Sequence, residues 1–260
     1  MVAGLAFLAT AIATVFAQAT SVRYARSKAP YQGAWTFALV LFALASAALA
    51  IGAATSWDEG TFKVFYLLGA VLNVPWLALG TVYLLAGRSL GSKVRTGLIF
   101  FSGFATGVIL TAPIHGTIDP VGNIPQGSDL FGALPRALAG IGSGVGAVVV
   151  FAGATWSAIR FARRHAPGSG ALAGGNALIA LGTLVLASGG LIQGFVGQDE
   201  AFVISLAAGI AVIYAGFVVA SGGRRVRAVD VSSDDSARRN TLPANVLGNS
   251  SSTSTRVGSL

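Results

Sequence analysis

Seven long apolar runs dominate this chain, and none of them carries an acidic or basic residue in its interior. A helix needs about 20 mostly apolar residues to cross roughly 30 Å of hydrocarbon. The runs predict helices over residues 2–20, 33–54, 62–86, 97–113, 137–159, 171–194 and 201–221. Only 10% of the 260 residues are charged, which is too few to cover a water-soluble globule of this size. The predicted fold class is therefore an all-α membrane protein with seven transmembrane helices.

The charged residues sort into two alternating sets of loops. One set carries basic residues, around positions 23–28, 88–95, 160–164 and 224–227, and the other carries acidic residues, around positions 58–59, 119–129 and 199–200. Of the 17 basic residues, only Lys63 and Arg136 fall on the acidic side. Because Lys and Arg favour the cytoplasmic side, we expect the N-terminus outside and the C-terminus inside a bacterial cytoplasmic membrane.

The net charge of +8 then belongs to a cytoplasmic rim that faces anionic lipid headgroups. Nucleic acid is not an expected partner. Residues 224–260 contain few apolar side chains and several runs of serine and threonine, a composition that does not bury enough surface to offset the entropy of ordering. We therefore expect a disordered cytoplasmic tail after a transmembrane domain of residues 1–223.

A nine-residue block recurs in the two halves of the chain. VRYARSKAP at 22–30 returns as IRFARRHAP at 159–167, with five of nine positions identical. Both blocks follow a helix predicted to run from outside to inside. The pattern predicts two parallel three-helix repeats, 2–86 and 137–221, joined by the helix at 97–113. The alternative is that basic inner loops in an alanine-rich chain look alike by chance.

This 3+1+3 order resembles that of the seven-helix sugar transporters called SWEETs and of the wider PQ-loop group. The resemblance concerns the topology of residues 2–221, because the first helix of each repeat lacks the proline of those families. The stretch LNVPWLALG at 72–80 is similar to one found in uncharacterised seven-helix membrane proteins of actinobacteria. That second resemblance implies an organism group and no activity.

Several kinds of chemistry are excluded by what the predicted membrane interior lacks. A retinal protein needs a lysine in the seventh helix, and 201–221 contains none. Proton and ion pumps use intramembrane carboxylates or histidines, but His115 and His165 lie in loops on opposite sides. The chain has no cysteine for metals or clusters. We expect no enzymatic activity, no metal and no cofactor.

Uncharged polar residues are the remaining candidates for a site. Asn73 lies near the middle of the third predicted helix and is followed by Pro75, which frees the carbonyl of Val71. A kink there predicts a midplane cavity for a neutral ligand, with the candidate binding residues Asn73, Pro75, Trp76, Tyr214 and Asn176. In the alternative, Asn73 hydrogen-bonds a neighbouring helix, worth roughly 0.6–2 kcal/mol, and Trp76 packs against it. Asn176 lies nearer a helix end, where packing also explains it.

Two functions follow from this pattern. The first is binding or passage of a small neutral solute in the cleft between the two repeats. The second is a scaffold without transport, which would assemble as a homo-oligomer or with another membrane protein through small-residue helix faces. The glycine pairs with the required spacing are Gly140/Gly144, Gly142/Gly146, Gly103/Gly107 and Gly190/Gly194. A scaffold predicts a packed Asn73 with no cavity between the halves.

Overall fold

The structure is a computed structural model that describes residues 1–119, 123–164, 166–196 and 199–241. In these ranges it contains helices and no β-strand. The elements are α1 (Val2–Ser27), α2 (Pro30–Ala54), α3 (Glu59–Phe65), a π-helical segment (Tyr66–Asn73), α4 (Val74–Thr111), α5 (Gly127–Leu130), α6 (Ala133–Ala162), α7 (Ser169–Val196) and α8 (Asp199–Thr241). Six helical stretches among the described residues are long and apolar enough to cross a membrane. The all-α class is confirmed, and the long apolar helices agree with a membrane-embedded protein.

One of these six stretches, Glu59–Thr111, folds back on itself at Gly87. Gly87 has φ 83° and ψ −179°, a backbone conformation that glycine adopts because it has no Cβ. Lys63 Nζ donates a hydrogen bond of 3.1 Å to the carbonyl oxygen of Leu110. A straight helix would hold these two residues about 70 Å apart. The parts of the chain before and after Gly87 therefore run antiparallel.

We call residues 59–86 the first arm and residues 88–111 the second arm. The predicted boundaries were 62–86 and 97–113. The second arm begins earlier because the polar residues after Gly87 continue the helix beyond its apolar part. Apolar runs mark the membrane-spanning part of a helix and not its ends.

The two ends of the bundle take their names from their loops. The acidic end carries Asp58, Glu59 and Asp199, and the basic end carries the arginine clusters. Glu59 forms an ion pair of 2.6 Å with the buried Lys63. Asp58 caps α3, and its carboxylate accepts hydrogen bonds from the hydroxyl of Thr61 at 2.6 Å and from the N–H of Thr61 at 3.0 Å. These bonds lower the pKa of Asp58 below its usual value.

The long helices close into a ring around a central space. In order around the ring, α1 contacts α2, α2 contacts the first arm, the first arm contacts α6, α6 contacts α7, α7 contacts α8, and α8 returns to α1. Arg23 strengthens the last contact at the basic end. Its guanidinium donates to Ser221 Oγ at 2.5 Å and lies 4.3 Å from the ring centre of Phe217.

The helix α8 continues well beyond the apolar run that ends at residue 221. Its backbone is helical as far as Thr241, whereas the sequence analysis predicts a disordered tail from residue 224. No glycine or proline interrupts residues 224–241, so nothing in the local sequence ends the helix there. The remaining part of the predicted tail, 242–260, lies outside the described residues.

Glycines bring α7 and α8 into close contact. A Cβ atom built on Gly175 would lie 2.6 Å from the carbonyl oxygen of Gly216, and one built on Gly182 would lie 2.8 Å from that of Gly209. Both pairs are separated by seven residues along their helices, which returns them to one seam. Close approach of backbones is the usual means by which membrane helices associate.

We expect Gly175→Ala to destabilise the protein by about 1–3 kcal/mol, since the new methyl group meets backbone atoms that cannot move aside. The neighbouring Gly174 is the matched control, because a Cβ built there meets nothing within 4 Å. Gly174→Ala should stabilise the helix by roughly 0.5–1 kcal/mol. Thermal unfolding of the purified protein, followed by tryptophan fluorescence, measures both. Equal effects of the two substitutions would contradict the close contact between α7 and α8.

Candidate functional site

The backbone is irregular where the first arm passes the middle of the bundle. Pro75 has no N–H to donate to the carbonyl of Val71, and its ring crowds that carbonyl. The eight residues Tyr66–Asn73 immediately before α4 form a π-helix, in which hydrogen bonds reach one residue further. The disturbance predicted at Pro75 thus takes the form of a widened helical segment. Such segments are frequent at functional sites.

The helix α6 completes the hydrogen bonding of this irregular segment. Ser143 Oγ donates to the carbonyl oxygen of Ala70 at 2.5 Å. A Cβ atom built on Gly142 would lie 2.8 Å from the carbonyl oxygen of Val71, and one built on Gly146 would lie 2.9 Å from Val74. The predicted pair Gly142/Gly146 is therefore a helix-packing face, because its missing side chains let α6 reach the open carbonyls.

The other predicted glycine pairs have different surroundings. Gly140 and Gly144 have nothing within 4 Å of a built Cβ and line the space inside the ring. Gly103 and Gly107 also meet nothing within 4 Å. Gly190 lines the interior space, and the side of the helix at Gly194 lies outside the described side chains. The same four-residue spacing of glycines therefore gives a packing contact at Gly142/Gly146 and open space at Gly140/Gly144 and Gly103/Gly107.

A cavity of about 700 Å³ fills the centre of the ring. Its walls come from α2, the first arm, α6, α7 and α8, and residues 125–128 cover part of its acidic end. No residue of α1 or of the second arm lines it among the described residues. Ligand cavities in proteins commonly measure about 300–1,000 Å³, so the space suits a small molecule.

The lining is mainly apolar, and most of its hydroxyl groups already have partners. Three of them donate to backbone carbonyls of their own or a neighbouring helix, at 2.5–2.9 Å: Ser46 to Phe42, Ser143 to Ala70 and Thr183 to Ile179. These hydroxyls do not leave a free donor for a ligand. The hydrogen-bonding groups that remain available to a ligand belong to the other polar side chains of the lining.

Asn73 is the polar group in the deep part of the cavity. Its side chain is only 9% exposed and lines the cavity wall. Among the described residues, none forms a hydrogen bond with its amide. Among the described residues no buried side-chain nitrogen or oxygen lacks a hydrogen-bond partner, so the amide of Asn73 is accessible from the cavity and can hydrogen-bond to whatever occupies it.

We call the acidic end of the cavity its mouth. Tyr66, Gln126, Ser128 and Arg136 line it there. The ring of Tyr66 lies directly against Gly127 in α5, which leaves no room for a Cβ at that position.

The loop before α6 is anchored over the first arm by aromatic packing. Phe131 stacks on Phe62 with ring centres 5.2 Å apart and meets Tyr66 edge-on at 4.9 Å. The N–H of His115 also donates to the carbonyl oxygen of Leu130 at 2.9 Å. The loop therefore forms a packed cover beside the mouth.

Of the five predicted site residues, only Asn73 lines the cavity. Trp76 points away from it, donating to Ser102 Oγ at 3.1 Å and packing 4.6 Å from Phe37. Pro75 packs against α6 near Gly142, where a built Cβ would lie 3.3 Å from its ring. The sequence argument considered only the position of these residues along their helices and did not contain the rotation of each helix.

The other two predicted residues lie on α7 and α8. Tyr214 packs on Phe16 of α1 with ring centres 5.1 Å apart. It lies about 100° around α8 from Ile213, which does line the cavity. Asn176 donates to the carbonyl of Leu172, one turn earlier in its own helix, at 2.7 Å. Neither residue is brought to Asn73.

Sequence reasoning missed Tyr66, Ser143 and Arg136 as lining residues. For Arg136 a signal was present, since it is one of two basic residues among the acidic loops. For Tyr66 and Ser143 no signal distinguishes them from other membrane-edge aromatics and helix serines. Within the described part of the chain, His, Asp and Glu form no group of three that could hold a metal ion. His115 belongs to that part, and His165 does not.

Comparison with protein-family models, curated proteins and solved structures found no match for this chain. The functional argument therefore rests on the geometry of the cavity.

We expect Asn73→Leu to leave the free energy of unfolding unchanged or to raise it, because no described residue hydrogen-bonds the Asn73 amide and its removal therefore breaks no bond within the described part of the protein. The matched variant is Ser143→Ala, which deprives the Ala70 carbonyl of its donor and should cost about 1–3 kcal/mol. Thermal unfolding of the purified protein measures both. A loss of stability in Asn73→Leu as large as that in Ser143→Ala would mean that Asn73 has a structural partner.

Proposed function

We propose that this chain is a multi-pass membrane protein that binds a small organic solute in its central cavity and allows its passage. The observation that carries the proposal is a cavity of about 700 Å³ with the unpartnered amide of Asn73 in its wall. Below the mouth, the described residues of the lining include no acidic or basic side chain. The part of the solute that occupies the deep cavity is therefore uncharged.

We propose seven membrane crossings, with the acidic end outside the cell and the basic end in the cytoplasm. The fold-back at Gly87 supports the count, because it makes two antiparallel crossings of the stretch Glu59–Thr111. The separation of basic from acidic loops supports the orientation. Anionic lipid headgroups are then the natural partners of the basic rim, and the bacterial cytoplasmic membrane is the proposed location.

The neighbour order of the ring supports the duplication inferred from the recurring block. In a parallel repeat, α1, α2 and the first arm correspond to α6, α7 and α8, and the second arm has no counterpart. The contact between α8 and α1 then corresponds to the contact between the first arm and α6, and both contacts are present. The cavity lies between the two proposed repeats, which is where transporters with repeats bind their substrates.

The basic half of the ring is closed by tight contacts. The indole of Trp35 lies against Gly80, and the side chain of Thr81 lies against Gly153, with a built Cβ less than 2.5 Å from the neighbouring atoms. Leu39 and Ile213 belong to one apolar cluster at the floor of the cavity. The proposed passage therefore needs a second conformation, in which these contacts open and the mouth closes.

The scaffold alternative predicts packing of Asn73 with no space between the halves. The cavity favours solute binding over that alternative. A scaffold role would place the functional surface on the outer faces of the helices, for example at Gly103 and Gly107.

Filling the cavity should abolish binding. We expect Gly144→Phe to fold and to lose its thermal shift and its uptake with any solute that stabilises the wild type, because a side chain there enters open space inside the ring. The screen uses sugars, polyols, alcohols and amides with the full chain in proteoliposomes. The control is Gly107→Phe, whose side chain also meets no neighbouring atom but does not line the cavity. A solute response that survives in Gly144→Phe would refute the proposed site.

The topology is testable because the chain has no cysteine of its own. In intact cells, a membrane-impermeant maleimide should label Ser56→Cys and Ser128→Cys directly. It should label Ser27→Cys and Ser92→Cys only after permeabilisation. If Ser92→Cys is labelled in intact cells like Ser56→Cys, the two arms do not form two crossings. If all four patterns are reversed, the orientation is wrong and the count stands.

A further inference from the structure

The two basic residues at the acidic end have different surroundings. Lys63 is buried, and its charge is balanced by Glu59 at 2.6 Å and by the carbonyl oxygen of Leu110 at 3.1 Å. Arg136 lines the mouth of the cavity. In the described part of the chain, no carboxylate lies within ion-pair distance of Arg136.

Two carboxylates at the same end accept hydrogen bonds from neutral donors. Asp199 accepts the N–H of Ile124 at 2.6 Å, and Asp129 accepts the hydroxyl of Ser128 at 2.9 Å. Neither they nor Glu200 line the cavity. The mouth therefore presents one positive charge to whatever enters it, together with the hydroxyl of Tyr66 and the amide of Gln126.

The cavity behind this charge is long and mainly apolar. On α6 its lining runs from Arg136 to Val150, about 21 Å along the helix axis. Between these two residues α6 presents Gly140, Gly144 and Ala147, whose small size leaves the space open. A positive charge at the mouth and an apolar lining behind it fit a molecule that has a negative group at one end and an apolar body.

We propose that the cavity binds an organic monoanion with an apolar body, such as a medium-chain carboxylate. This proposal rests on the proposed function and narrows its solute. The carboxylate of the ligand accepts hydrogen bonds from the guanidinium of Arg136, and the alkyl chain of the ligand extends past Gly144 towards Asn73. The predicted span begins at residue 137, one residue after Arg136, so the sequence argument for a neutral solute places this charge in a loop.

The ion pair and the apolar contact are separable in their effects. A charge-assisted hydrogen bond is stronger than a neutral one, so removing the positive charge should weaken binding of the anion roughly tenfold. It should not weaken binding of an uncharged molecule with the same body. Filling the apolar part of the cavity should abolish binding of both the anion and the uncharged molecule.

The test compares octanoate with octanamide, which has the same chain length and no charge. Radiolabelled ligand binding is measured on the full chain in phosphatidylcholine nanodiscs, and empty nanodiscs correct for partition into lipid. The variants are Arg136→Gln, Arg136→Lys, Gly144→Phe and, as the control at the other end of α6, Arg160→Gln. A second set of nanodiscs containing phosphatidylglycerol distinguishes a free anion from a bilayer lipid as the occupant of the mouth.

We expect saturable octanoate binding that falls at least tenfold in Arg136→Gln, is largely retained in Arg136→Lys and Arg160→Gln, and is lost in Gly144→Phe. Competition by phosphatidylglycerol would support the same anion site with a lipid as its resident ligand. Octanamide binding equal to that of octanoate, with no effect of Arg136→Gln but a loss in Gly144→Phe, would overturn the anion proposal and leave the cavity function intact. Binding of both ligands that ignores Gly144→Phe, or no saturable binding of octanoate, would also overturn it. In that case the solute screen decides the fate of the proposed function separately.

Discussion

Backbone hydrogen bonds inside a membrane must be completed by the protein itself, and this constraint acts most strongly between Tyr66 and Pro75. The proline leaves a carbonyl without its donor, and the helix before it widens into a π-helix. Ser143 donates a hydrogen bond to the carbonyl of Ala70 in this segment, and the glycine face of α6 packs closely against it. The position of α6 in the ring follows from that contact.

The same contact accounts for the cavity. Residues two positions apart on a helix point about 200° apart, so when Gly142 packs against the first arm, Gly140 and Gly144 turn towards another side. With no side chains to fill it, that side remains open. A packed face and an empty face on one helix thus have a common origin in its alternating glycines.

The charged residues also differ in their positions and in their contacts. Among the described residues, the lining of the cavity below its mouth includes no acidic or basic side chain, and most of the basic residues collect at one end. Lys63 secures the fold-back by holding the end of the second arm, because a cation favours the C-terminus of a helix. Arg136 has no ion-pair partner among the described residues, and it lines the mouth of the cavity.

The sequence by itself determined the helical class, the approximate extent of the long apolar helices and the place where the backbone had to deviate. These properties depend on local composition, since apolar length decides what crosses a membrane and proline removes a donor wherever it stands. Only the tertiary structure decided that Trp76, Tyr214 and Asn176 turn to neighbouring atoms, while Asn73 turns to open space. Their direction depends on the rotation of each helix about its own axis, and that rotation is set by contacts with helices distant in sequence. In a chain whose helices are apolar on every side, hydropathy carries almost no information about which side faces inward.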